Sequence, residues 1–295
     1  MIIVKLMGGM GNQLFQYAAG RAVAMRKGTE LKLDVSGFEN QGSIITPRQY
    51  ALQVFNIEEN FATVSELDRF QNVSQTKTLG YGQKIWDKLF AAQRLAKFIE
   101  PQFCFNPQVF ELGAEAYLEG YWQTEKYFSD IIDSIRQEFS LRDEFSIADL
   151  EMTKKIQNSN AVSLHIRRGD YVSSATTGKF HGICSLDYYA QAIRHMAEKV
   201  ATPTFFIFSD DIKWVKENLP IDFPTVYVSD GILKDFEELM LMSHCQHNII
   251  ANSSFSWWGA WLNSNPQKIV IAPRQWFADT SLDTKDIVPE SWVRM

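Results

Sequence analysis

Cysteine is scarce: Cys104, Cys184 and Cys245 are odd in number and far apart, and no Cys-x-x-Cys pair occurs. Neither a disulfide framework nor a zinc ribbon is supported, and a reducing compartment fits best. Long apolar runs are missing as well; nothing reaches the stretch of about 18 residues that a membrane-spanning helix needs. Basic excess is missing too. The chain has 29 Lys and Arg against 35 Asp and Glu, a net charge of −6, which argues against a nucleic-acid-binding face. There is no Gly-x-Ser-x-Gly elbow for a serine hydrolase. His244 and His247 flank Cys245, but no further ligand pair lies at a zinc spacing.

What is present begins with MIIVKLMGGMGNQLF, where Lys5 interrupts the apolar run and glycines follow at once. That is not the pattern of a signal peptide, so a cytoplasmic protein is expected. The segment 84–99, KIWDKLFAAQRLAKFI, predicts an amphipathic helix with Lys84, Lys88, Arg94 and Lys97 as its basic positions. It suits a helix covering the core, or a weak peripheral contact at the inner face of a membrane. Eight tryptophans within an aromatic content of 13 % fit either a well-filled core or stacking on sugars and other planar ligands.

The pattern along the chain predicts an α/β protein. Residues 1–7, a glycine turn, a helix and TELKLDV (29–35) form a βαβ unit. AYLEGYW (116–122) predicts a strand and 127–139 a helix, while 36–110 is otherwise irregular. Beyond about 160 the alternation is strict. AVSLHI, TFFIF, TVYV, NIIA and KIVIA are short strands, separated by helices of about ten residues, which means a parallel sheet wrapped on both faces. Two α/β domains follow, residues 1–157 and 158–295.

Four segments carry chemistry. The turn around Gly9, Gly11, Asn12 and Gln13 joins a strand to a helix, where backbone amides and the helix dipole favour an anion. Its Gly-x-Gly-x-x-Leu spacing, with Asp34 at the end of the next strand, is a weak match to a dinucleotide site; the alternative is a plain βα turn. His165, Arg167, Arg168 and Asp170 follow AVSLHI at a strand's carboxyl end, where open α/β sheets bind ligands. Forked guanidinium donors suit a diphosphate, with one arginine held by Asp170 and the other facing the ligand. Asp210 and Asp211 end TFFIF. A carboxylate there can bind a metal, accept the paired donors of guanine, or cap the next helix. Finally Asn252, Ser253, Ser254, Phe255 and Ser256 open a helix, either as an anion site or as an ordinary cap. Trp257, Trp258 and Trp261 follow at the spacing of packing residues.

Taken together, MGGMGNQLFQYAAGRA, HIRRGDYV, FIFSDDIKWV and DFEELMLMSHCQHNIIANSSFSWWGAWL resemble the α-1,2-fucosyltransferases of glycosyltransferase family 11. The resemblance implies a GT-B-like fold, two facing Rossmann-like domains with a cleft between them. It implies GDP-β-L-fucose as donor, and transfer with inversion to the 2-hydroxyl of a galactose-terminated oligosaccharide or glycolipid-linked acceptor. No cofactor or metal is expected; the chain has no Asp-x-Asp pair of the kind that clamps a sugar nucleotide through a metal. By the same resemblance the second domain holds the nucleotide and the first mainly the acceptor. Arg168 and Arg167 neutralise the leaving diphosphate, Asn12 and Gln13 reach the donor, and the chain looks like a bacterial-type member without the membrane anchor of animal relatives. The general base stays open, with Asp170 the nearest acid. Two rivals remain: a nucleotide-dependent oxidoreductase on Gly9, Gly11 and Asp34, and a non-catalytic glycan-binding protein.

Overall fold

The computed structural model describes residues 1–39, 47–71, 73, 95–143, 147–169, 182–229 and 231–295. It divides into two compact units. One comprises Met1–Arg142 with Lys285–Ile287, the other Asp143–Thr284 with Val288–Met295.

In the first unit, the apolar run after Met1 becomes β1 (Ile2–Lys5), whose Ile2, Ile3 and Val4 are wholly buried. Helix α1 (Met10–Lys27) follows and stops at Gly28, which takes the left-handed conformation at φ 60°. Arg26 and Lys27 in its last turn suit the negative end of the helix dipole. Then come β2 (Leu31–Asp34), α2 (Val64–Gln71), β3 (Ala96–Ile99), β4 (Ala116–Glu119) and α3 (Ile132–Glu138). The four strands lie in the order β2-β1-β4-β3, all parallel. The sheet therefore changes direction between β1 and β4, beside the glycine turn.

The helix expected over 84–99 differs from what is found. Residues 84–94 lie outside those described, and Ala96–Ile99 is the strand β3, paired with β4 from Ala96↔Ala116 to Ile99↔Glu119. Its periodicity misled because Ala96 and Phe98 alternate inward over too few residues to outvote a helical stripe upstream. The expected helix over 127–139 shortens to α3, preceded by a single 3-10 turn at Glu125–Tyr127.

The second unit contains α4 (Ile147–Gln157), β5 (Asn160–Ile166), α5 (Leu186–Lys199), β6 (Pro203–Ser209), α6 (Ile212–Asn218), β7 (Thr225–Tyr227), α7 (Asp235–His244), β8 (His247–Ile249), α8 (Ser254–Leu262), β9 (Val270–Ala272) and β10 (Val293–Arg294). The division after residue 157 expected from sequence would have given α4 to the first domain; it packs instead against α7 and β5 of the second unit. The sheet runs β10-β9-β8-β5-β6-β7, every pair parallel. Counted within the unit from the β7 edge, that is the order 3-2-1-4-5-6 of a Rossmann sheet, with its switch point between β5 and β8. Val162, Leu164, Ile166, Phe205, Ile207 and Ile249 fill the core beneath it. Both units are thus parallel α/β sheets, the GT-B-like composition expected from the sequence.

Candidate active site

The carboxyl ends of β5, β6 and β8 bring three of the four sequence segments together. His165 is the penultimate residue of β5 and is 4 % exposed. Burial, reinforced by the Arg167 charge, pushes its pKa down to about 3. The imidazole is therefore neutral throughout the working range. Its Nδ1 is buried without a partner, and its ring lies 5.8 Å from that of Phe255 on α8.

The two arginines that follow are held from the end of β6. Arg167 Nε lies 3.1 Å from Asp210 Oδ2, and the backbone N–H of Arg168 donates to Asp210 Oδ1 at 2.9 Å. The Arg168 guanidinium donates to Asp211 Oδ2 at 2.9 Å and stacks 4.3 Å above the Trp214 ring. Asp211 Oδ1 meanwhile accepts from Trp214 N at 3.2 Å, capping α6. Both carboxylates therefore orient arginines; Asp170, expected from the sequence to hold one of them, lies outside the described residues. Behind them, Ser209 Oγ accepts from Asp211 N, and Ser209 N donates to Ser229 Oγ, which itself donates to Glu238 Oε2. That relay braces the backbone at Asp211.

The start of α8 stands on the other side of the switch point. Ser253 is its cap residue and makes no side-chain cap bond among the described residues; a helix start carries the positive end of the dipole, which favours an anion. Asn252 and Ser256 turn out to be structural. Asn252 Nδ2 donates to Trp276 O at 3.1 Å and Gly182 O at 3.3 Å, and Ser256 Oγ donates to Ser253 O at 3.3 Å. Both are buried, because a helix entering directly from a central strand needs its entry loop tied down. Trp257 and Trp258 are wholly buried and Trp261 nearly so, which removes them as platforms for sugars.

At the first unit's switch point, the position that demands glycine is Gly8, at φ +75°, where a Cβ would stand 2.6 Å from Asn12 Nδ2. Asn12 Oδ1 accepts from Gln123 Nε2 at 2.8 Å. Gln13 is wholly buried and occupied. Its Nε2 donates to Gly8 O and Gln49 O, and its Oε1 accepts from Ala51 N. A ligand contact assigned to Gln13 from sequence thus gives way to a strut, which is why the turn carries a second amide. Asp34 is likewise spent: it accepts from Tyr117 Oη at 2.6 Å and from Ser36 N, leaving the dinucleotide reading without its acid.

The sequence profile of Glycosyl transferase family 11 matches residues 103–295. The chain is 34 % identical over 299 residues to an alpha-1,2-colitosyltransferase of Escherichia coli, covering 100 % of this chain and 98 % of that protein. The chain belongs to glycosyltransferase family 11. A second relative matched along its length is the O-antigen biosynthesis glycosyltransferase WbnK of Escherichia coli, 35 % identical over 98 % of this chain and 99 % of that protein. A galactoside alpha-(1,2)-fucosyltransferase 2 of Pongo pygmaeus is 28 % identical over 160 residues, 51 % of this chain and 46 % of its own. The protein is accordingly a glycosyltransferase. Among the described residues, no helix is long and apolar enough to cross a membrane.

Sequence reasoning missed several parts of this family 11 site. Trp214, Ser209 and Glu238 lie inside FIFSDDIKWV and DFEELMLMSHC, but nothing there marks their contacts, and Ser229 and Gln123 lie in no such segment. Of these, Ser209 ends β6 and Ser229 lies two residues past β7, positions that would have flagged them.

Proposed function

We propose that the protein transfers L-fucose from GDP-β-L-fucose to the 2-hydroxyl of a terminal galactoside, with inversion at the sugar carbon. The observation that carries this reading is the arginine pair at the carboxyl end of β5, each fixed by an aspartate, in the same switch region as the start of α8. As the sugar leaves, its carbon gains oxocarbenium character and negative charge builds on the diphosphate. Donors already held in place stabilise that charge without reorganising. The second unit carries the nucleotide in this reading and the first unit the acceptor, and the reaction takes place in the cytoplasm.

A second donor is favoured by one observation, the full-length relative named for colitose. Colitose is fucose without its 3-hydroxyl, and a site that hydrogen-bonds this hydroxyl rejects the analogue lacking it. GDP release is measured from GDP-fucose and GDP-colitose with lactose, N-acetyllactosamine and β-1,3-linked galactosyl-N-acetylgalactosamine as acceptors. GDP-fucose is expected to give the higher kcat/KM; a preference for GDP-colitose replaces the donor and keeps the rest.

Transfer is expected to persist in excess EDTA, since the arginines and the start of α8 supply the positive field a metal would bring. Complete loss of activity restored by manganese would return Asp210 and Asp211 to the role of metal ligands.

Asp211 has two occupied oxygens, so its loss should tell in two ways. Asp211→Ala is expected to lower stability by about 0.5–2 kcal/mol through the lost cap. It should also weaken GDP and UDP to a similar degree, because Arg168 loses its anchor. Thermal melting and isothermal titration of both nucleotides check this. A selective loss of GDP over UDP would instead make Asp211 the reader of guanine.

A further inference from the structure

Glu100 is the first residue beyond β3, in the first unit. Its Oε2 accepts from two successive backbone donors past the end of β4, Tyr121 N at 2.7 Å and Trp122 N at 2.9 Å. Among the described residues its Oε1 meets only the Tyr127 hydroxyl, at 3.5 Å, which that hydroxyl shares with Cys104 O at 3.4 Å. One oxygen is thus tightly held and the other is weakly engaged, with room for a further donor. The backbone is bent to make this arrangement. Trp122 adopts φ 57°, a left-handed conformation that costs a bulky residue energy and tends to persist where a site requires it. A side chain at Gly120 would collide with Glu100.

The surroundings suit a saccharide. The Tyr121 ring, 36 % exposed, stacks on Phe103 with centroids 5.8 Å apart and planes at 23°, a flat aromatic surface beside a carboxylate. Two further polar atoms here have no partner: Trp122 Nε1 and Gln123 Oε1 are both buried. Gln123 also reaches Asn12 across the sheet's switch point, so the carboxylate and the glycine turn belong to one continuous rim.

We propose that this rim is the acceptor-galactoside subsite, and that Glu100 takes the proton of the reacting hydroxyl. The inference rests on the function proposed above. As the acceptor oxygen bonds to the sugar carbon, its proton passes to Glu100 Oε1. The bond from the sugar carbon to the diphosphate oxygen breaks, and its electron pair leaves with GDP. Burial pushes the Glu100 pKa up to about 7, against the pull of its two backbone donors and the Tyr127 hydroxyl, which places it where a general base works at neutral pH. Nearby charges are already paired: Glu119 with Lys5 and Lys97, and Asp286 with Lys126. Burial raises the phenols of Tyr121 and Tyr127 as well, so neither competes for the proton.

Glu100→Gln keeps an oxygen for the two backbone donors and loses the base. It is expected to lower kcat by about 10²–10⁴-fold, with the acceptor KM, the GDP affinity and the melting temperature near wild type. In the wild type, kcat/KM should rise with pH through about 7 as the carboxylate ionises, and the variant should lose that limb. Formate should restore part of the activity of Glu100→Ala. Tyr121→Ala should raise the acceptor KM about tenfold and leave kcat nearly unchanged, and it should weaken binding of methyl β-D-galactopyranoside measured without donor. If Glu100→Gln keeps both its rate and its acid limb, Glu100 is not the base. If the wild type fails to bind methyl β-D-galactopyranoside, or Tyr121→Ala binds it unchanged, the subsite lies elsewhere. Absence of GDP binding by the wild type would instead overturn the proposed function.

Discussion

Arg168→Ala is expected to lower the transfer rate by about 10²–10³-fold, while the protein stays folded. The side chain pairs with Asp211 and lies over Trp214 at the carboxyl end of β5, and a guanidinium has five N–H donors, more than one carboxylate can occupy. Its pair with Asp211 is partly solvent-exposed on both sides, at 25 % and 31 %, and pairs of that kind contribute at most about 1 kcal/mol. The stability loss should therefore be small and the catalytic loss large. Arg168→Lys should recover little, since an ammonium cannot reproduce the fork or the stacking. Single-turnover GDP release beside a melting curve reads both quantities. A variant that keeps most of its rate at an unchanged melting temperature would remove Arg168 from the diphosphate site.

Gln13→Ala should do the reverse, damaging the fold first. The amide holds Gly8 O, Gln49 O and Ala51 N at once from a position with no solvent access. Three hydrogen bonds with net values near 1 kcal/mol each, plus the groups left unpaired, amount to roughly 2–4 kcal/mol. For a unit of this size that is a fall in melting temperature of roughly 5–15 °C. Gln13→Leu separates the causes: it refills the volume yet orphans the same backbone groups, so it should be nearly as damaging. A Gln13→Ala protein that melts like wild type but loses donor affinity would restore the ligand-contacting role.

Those two residues illustrate what was legible in the sequence. The second unit could be read almost element by element, because central parallel strands are buried on both faces and stand out as short apolar runs such as AVSLHI and TFFIF. The placement of Arg168 and of the start of α8 was readable for the same reason: motifs at strand ends inherit the certainty of the strands. Gln13 and Asn252 were not. A buried amide that ties down a loop and one that meets a ligand look alike in sequence, and only the partners, Ala51 N or Trp276 O, distinguish them. The pairing of Asp210 with Arg167, and of Asp211 with Arg168, joins residues 43 apart in each case of one-to-one spacing, so a local motif could not show it. β3 was missed because four residues cannot establish a period of two. Glu100 had no signal at all, since the rise in its pKa comes from burial that only the folded chain creates.

The short return of the chain has a consequence for how the molecule is made. Residues Lys285–Ile287 belong to the first unit, yet the ribosome reaches them only after Thr284, when nearly all of the second unit has been synthesised. Asp286 then closes onto Phe105 N and Lys126, and the strand β10 that follows adds the edge of the second sheet. An amino-terminal domain usually folds before the next emerges; here the first unit gains its last contacts only after nearly all of the second has been synthesised.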